Sequence, residues 1–106
     1  MTLKEELRQF NKTMDWDQFH TPENLAKSIS IEAAELLECF QWNNDSYREE
    51  VCEELADVYS YAVMLADSLG VELEEIGLKK LEKTKAKYPA EKFKGISTKN
   101  NELGDD

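Results

Sequence analysis

Two apolar stripes at helical spacing, each edged by carboxylates, constrain this chain more than any other feature. On a helix turning 100° per residue, Leu25, Ile29, Ala33, Leu36 and Phe40 share an arc about 80° wide. Glu32 lies about 20° outside that arc and Glu35 about 80° outside it. The second stripe is Val51, Leu55, Val58, Ala62, Leu65 and Leu69. Glu54 lies about 20° from its edge, with Glu50, Asp57 and Tyr61 on the same flank. Helices that pack through these stripes bring Glu32, Glu35, Glu54 and Asp57 together. Carboxylates beside a buried stripe are costly to desolvate unless a cation compensates, and residues 31–57 hold nine acidic side chains against a single Arg48. Four carboxylates in a half-dry place favour a hard divalent ion with oxygen ligands. Mg²⁺ suits this best, with Mn²⁺ as the alternative.

The remaining segments supply helices around this pair. Thr2 and Glu5 form a capping-box pattern, and Leu3, Leu7, Phe10 and Met14 keep helical spacing, so a first helix is predicted to end near Met14. The segment DWDQFH, Asp15 to His20, has no clear period but concentrates Trp16, Phe19 and His20. Thr21-Pro22-Glu23 reads as N-cap, N1 proline and first-turn acid of a second helix running to about Trp42. Asn43-Asn44-Asp45 breaks it. Ser46 with Glu49 predicts the cap of a third helix that continues to Leu69, with Gly70 as its C′ residue. A fourth helix is predicted from Val71 to Tyr88, stopped by Pro89. Strand-like alternation is absent. The expected fold is therefore all-α, of four-helix-bundle type, in one domain over 1–94 with a mobile polar tail over 95–106.

Charge and apolar content exclude several functions. A net charge of −10 over 106 residues argues against unaided binding to nucleic acid or an anionic membrane. Seven of the 13 Lys and Arg lie between Lys79 and Lys94, so a cationic segment follows the acidic ones. No apolar run approaches the ~20 residues of a membrane span, and MTLKEELRQF lacks the apolar core of a signal peptide. Cys39 and Cys52 have no metal-ligand spacing and read as reduced thiols of a cytoplasmic protein.

The chain resembles the all-α nucleotide pyrophosphohydrolases of the MazG-like superfamily. Their signature is Glu-Glu-x-x-Glu and, after a spacer, Glu-x-x-Asp. Glu32-x-x-Glu35 and Glu54-x-x-Asp57 match it, with eighteen residues between. The nearer resemblance is to the dCTP pyrophosphatase branch, through DWDQFHTPENL (Asp15 to Leu25), EAAELLECFQW (Glu32 to Trp42), ELADVYSY (Glu54 to Tyr61) and KYP (Lys87 to Pro89). Two positions depart from the pattern. Ile31 replaces the signature's first Glu, as in other members of this branch, and Thr84 stands where an Asn is frequent.

The resemblance implies Mg²⁺-dependent conversion of a nucleoside triphosphate, with dCTP or a modified dCTP preferred, to the monophosphate and pyrophosphate. Glu32, Glu35, Glu54 and Asp57 are then the metal-ligand candidates. Either Glu35 or Glu38 takes the proton of the attacking water. Trp16, Phe19, His20, Trp42 and Tyr61 would form the base pocket, and Lys80 and Lys87 would hold the departing pyrophosphate. A homo-oligomer is also implied, a tetramer of paired dimers or a dimer.

Each residue has a plainer role to be weighed. Glu38 lies about 140° from the arc edge, where solvent is its expected neighbour. Tyr61 serves pocket and packing equally well, and Trp16 and Trp42 fit a core or a subunit interface. His20 could cap or pack, and the lysine cluster could be a solvated face. Three alternatives stay open: the same chemistry on dUTP or another dNTP, the same chemistry on phosphoribosyl-ATP, and a non-catalytic acidic interaction module. A di-iron carboxylate bundle is excluded, because it needs Glu-x-x-His on two helices and His20 is the sole histidine.

Overall fold

The structure, a computed structural model, describes residues 1–41 and 46–95. Every regular element among the described residues is a helix, with no strand, and so the fold is all-α as expected. They fall into two compact units, the first being Met1–Leu73 and the second beginning at Glu74.

In the first unit, α1 spans Leu3–Thr13. Its capping box forms as the sequence implies. Thr2 Oγ1 accepts from the Glu5 N–H at 3.2 Å, and Glu5 Oε1 accepts from the Thr2 N–H at 2.8 Å. The helix ends through Asp15, which takes the left-handed φ of 57° where glycine is usual. The Trp16 N–H then reaches back to the Asn11 carbonyl at 2.9 Å and the Asp15 N–H to that of Lys12 at 3.1 Å, a Schellman closure. Trp16 stacks edge-on against Phe10, ring centres 5.4 Å apart, completing the apolar clasp of that motif. The aperiodic DWDQFH segment is thus a helix stop followed by a single 3₁₀ turn, Asp17–Phe19.

Helix α2 spans Pro22–Glu38, with Thr21 as N-cap accepting from the Asn24 N–H. It is shorter than predicted. The N–H groups of Cys39, Phe40 and Gln41 turn to the carbonyls three residues back, so the last turn tightens into 3₁₀ form instead of running on to Trp42. Trp42 lies outside the described residues, as does the tail from 96 onward.

Helix α3 spans Tyr47–Ser68. The Ser46–Glu49 capping box expected from sequence does not form, because Ser46 lies at φ −91°, ψ 2°, away from the extended backbone that aims a capping hydroxyl. At the other end Gly70 is C′ as predicted, at φ 71°, with the Val71 N–H on the Ala66 carbonyl at 3.0 Å.

The two long helices pack along one another, antiparallel, and α1 lies against α3. The core at this seam is small. Leu25 is 1% exposed and Ala66 5%, whereas Ile31, Leu37, Phe40, Leu55 and Tyr59 are left exposed. Polar ties supplement the packing of α1 on α3. Arg8 makes a two-pronged pair with Asp67, Nε to Oδ2 at 2.7 Å, and Lys4 pairs with Glu72.

Helix α4 spans Leu73–Lys87, all but its first residue in the second unit, and Pro89 ends it. One more turn follows, α5, Ala90–Phe93, with Tyr88 edge-on to Phe93 at 5.2 Å. The sequence pattern did not predict α5.

Candidate active site

The antiparallel α2–α3 pair places Glu32 opposite Glu54 and Asp57. One carboxylate oxygen from each of the three lies within 4.8 Å of the others. Glu54 and Asp57 occupy adjacent positions on one face of α3, as three-residue spacing requires. Glu32 borders the packed stripe of α2. Glu32 and Glu54 are half-buried and Asp57 is exposed, so the cluster opens to solvent on one side.

Its electrostatics are unfavourable as it stands. The Glu32 carboxyl is pushed up to about 7, first by its hydrogen bond with Glu35, then by burial and by the charges of Glu35 and Asp57. Burial also raises Glu54, with Glu35, Asp57, Glu53 and Glu38 adding repulsion. Glu54 Oε2 is buried and has no hydrogen-bond partner among the described residues. The ion pairs found among those residues, Lys4–Glu72, Arg8–Asp67, Lys27–Glu23 and Lys85–Glu82, leave this cluster without a basic partner. Clustered oxygen donors, one of them orphaned, fit a hard divalent cation, whose arrival would turn mutual repulsion into ligation.

A match to a known family accompanies this geometry. Residues 27–103 match the MazG-like family. The chain belongs to that family. Among similar proteins, dCTP pyrophosphatase 1 of Homo sapiens is 38% identical and that of Mus musculus 33% identical, each over 105 residues and 90% of this chain. The chain spans 62% of the length of either relative. The crystal structure of a pyrophosphatase from Archaeoglobus fulgidus is 45% identical and superimposes with a TM-score of 0.71, covering 80% of this chain and 87% of that one.

The other residues singled out in this family member are distributed as follows. Glu35 is exposed and bears on the cluster through its charge, which acts on both Glu32 and Glu54, and it is not one of the close trio. Glu38 is exposed, as its helical angle implied, and reaches the cluster only through its charge on Glu54. Tyr61 lies one turn beyond Asp57 on α3, half-buried. Trp16 and Phe19 are exposed, and His20 is half-buried with a buried, unpartnered Nδ1. Lys80 and Lys87 lie on α4 in the second unit, where the Thr84 hydroxyl is committed to the Lys80 carbonyl at 3.1 Å. The Cys39 thiol is pushed up by burial and by Glu54, Glu50 and Glu38, which keeps it protonated and unreactive. The cysteines are free. No helix among the described residues is long and apolar enough to cross a membrane.

One residue of interest escaped the sequence analysis. Asn11 is only 7% exposed, yet it carries an amide. Its signal was positional: it lies four residues after Leu7 and three before Met14, so a polar side chain stands inside the apolar stripe of α1.

Proposed function

We propose that this protein is a Mg²⁺-dependent nucleoside triphosphate pyrophosphohydrolase that converts dCTP, or a modified dCTP, to the monophosphate and pyrophosphate. The observation that carries the reading is the Glu32–Glu54–Asp57 cluster with its orphaned Glu54 oxygen, in a MazG-like chain similar to proteins named dCTP pyrophosphatase. Glu32, Glu54 and Asp57, with Glu35 beside them, would hold Mg²⁺, or Mn²⁺ in its place. A bound ion supplies neutralisation of the triphosphate and acidification of nearby water.

The chain's own groups do the rest. Glu35 is favoured over Glu38 as the acceptor of the attacking water's proton, because the Glu35 charge acts on both Glu32 and Glu54, whereas that of Glu38 acts on Glu54 alone. His20 would line the base pocket, and Trp16, Phe19, Trp42 and Tyr61 would close over the base from outside it. Lys80 and Lys87 neutralise pyrophosphate as it departs. The protein acts as a homo-oligomer, a tetramer in preference to a dimer, which gives the exposed Ile31, Leu37, Phe40 and Leu55 a partner surface. It works in the cytoplasm, where Cys39 and Cys52 remain thiols.

The test is direct. Purified protein incubated with Mg²⁺ and each dNTP in turn is expected to release pyrophosphate, fastest from dCTP, and to stop on addition of a chelator. Release from none of them defeats the reading. Sedimentation velocity reports the oligomer, and a monomer at micromolar concentration would remove that part of it.

A further inference from the structure

A cavity of about 180 Å³ lies where α1, the Asp17–Phe19 turn, α2 and α3 meet, lined among others by Leu7, Asn11, His20, Leu25 and Met64. Its place along the helices relates it to the carboxylate cluster. Leu25 precedes Glu32 by seven residues on α2, and Met64 follows Asp57 by seven on the antiparallel α3. At 1.5 Å per residue both intervals are about 10 Å, comparable to the length of a nucleoside. The cavity's own cations are engaged, Arg8 by Asp67 and Lys4 by Glu72. This end of the seam therefore suits an uncharged ring rather than phosphate.

Among the polar groups that remain for such a ring is one side-chain acceptor, the Asn11 amide oxygen. The Asn11 amide is held by its Nδ2, which donates to Met64 Sδ at 3.2 Å. A thioether offers no proton, so the amide nitrogen must face it and the oxygen must face away. Asn11 Oδ1 takes no hydrogen bond from the described residues and is left to the cavity. Asp17 and His20 line the same space.

We infer that Asn11 is a specificity-determining residue, whose Oδ1 accepts from the exocyclic amino group of a cytosine-type base seated in this cavity. The inference rests on the nucleotide-hydrolysing reading above and names how its base is chosen. A pyrimidine with a carbonyl at that position would set oxygen against oxygen, both desolvated, and would be disfavoured. Met64 is a positioning residue, since its sulfur fixes which atom of the amide the base meets.

The experiment compares kcat/KM for dCTP and dUTP in the intact protein and in Asn11→Leu and Met64→Leu. Taking the ratio of two substrates within one sample cancels any loss of folded protein. The wild-type protein is expected to prefer dCTP by roughly 10- to 100-fold, and Asn11→Leu to bring the ratio near unity. Met64→Leu keeps the volume but frees the amide to turn, so the ratio falls mainly through improved use of dUTP. Relative affinity for dCMP and dUMP without metal should move in parallel, as a readout independent of catalysis. A dCTP:dUTP ratio that stays within about two-fold of wild type in Asn11→Leu overturns the inference while leaving the hydrolase reading intact. A wild-type protein that hydrolyses no dNTP removes both.

Discussion

The two ends of the α2–α3 seam carry the same residue type in opposite circumstances. At one end Glu32, Glu54 and Asp57 crowd together with no base among them, and the first two are shifted toward protonation. At the other end Asp67 is held by Arg8, which lowers its carboxyl below the usual range. Both ends are partly buried, so burial alone does not separate them. The partner does. Asp67 finds its counter-charge within the chain and stabilises the fold, whereas the cluster is left in deficit of positive charge. A deficit of that kind at three convergent side chains is what supports the proposed ion site.

The largest expected effect tests that deficit directly. Asp57→Asn and Glu54→Gln should each lower kcat/KM for dCTP by about 100-fold or more, since each would remove a charged oxygen from the proposed ion site. The same variants should raise the melting temperature of metal-free protein, while Asp67→Asn should lower it. Opposite signs by calorimetry sharpen the contrast, and equal signs break it.

Acidity gives the next effect. Glu32 and Glu54 bind protons more tightly folded than unfolded, so the folded state holds more protons between their unfolded value near 4.5 and the Glu32 value of about 7. Over that window their contribution makes stability fall as pH rises, the reverse of Asp67, whose contribution is present above its ordinary value of 3.8 and lost as pH drops through its lowered one. Thermal scans of metal-free protein should therefore show a gain of a few degrees on going from pH 8 to pH 5.5. Mg²⁺ should stabilise more at pH 8 than at pH 5.5, because protons compete with it for the same oxygens.

The smallest effects lie at the helix ends that frame the seam. Gly70→Ala should cost about 1 kcal/mol in denaturant unfolding, through its left-handed φ alone, since an added Cβ there would meet nothing within 4 Å. Asp15→Gly should change stability by only a few tenths of a kcal/mol. It relieves the same backbone strain but gives up the hydrogen bond that Gln18 donates to the Asp15 carboxylate at 3.1 Å.

Much of this was legible along the chain because the forces responsible act over a few residues. Thr2 with Glu5, Thr21 before Pro22, and Gly70 after Leu69 each complete bonds to amides or carbonyls no more than five residues away. Helical spacing likewise put Glu32, Glu54 and Asp57 beside the apolar stripes, and a buried stripe leaves its flanking acids facing the neighbouring helix. The Asp15 stop was missed because an aspartate in left-handed conformation has no strong local mark.

Tertiary structure decided what depends on how the helices pack. Arg8 meets Asp67 and Asn11 meets Met64 across sequence separations of 59 and 53 residues. No local pattern carries those pairings, because they exist only once α1 lies against α3. The antiparallel α2–α3 pairing likewise selected which carboxylate oxygens converge, drawing in Glu32 and leaving Glu35 beside the trio. Helix existence follows from short-range bonding and apolar period. The site follows from the distance between two surfaces, which only packing sets.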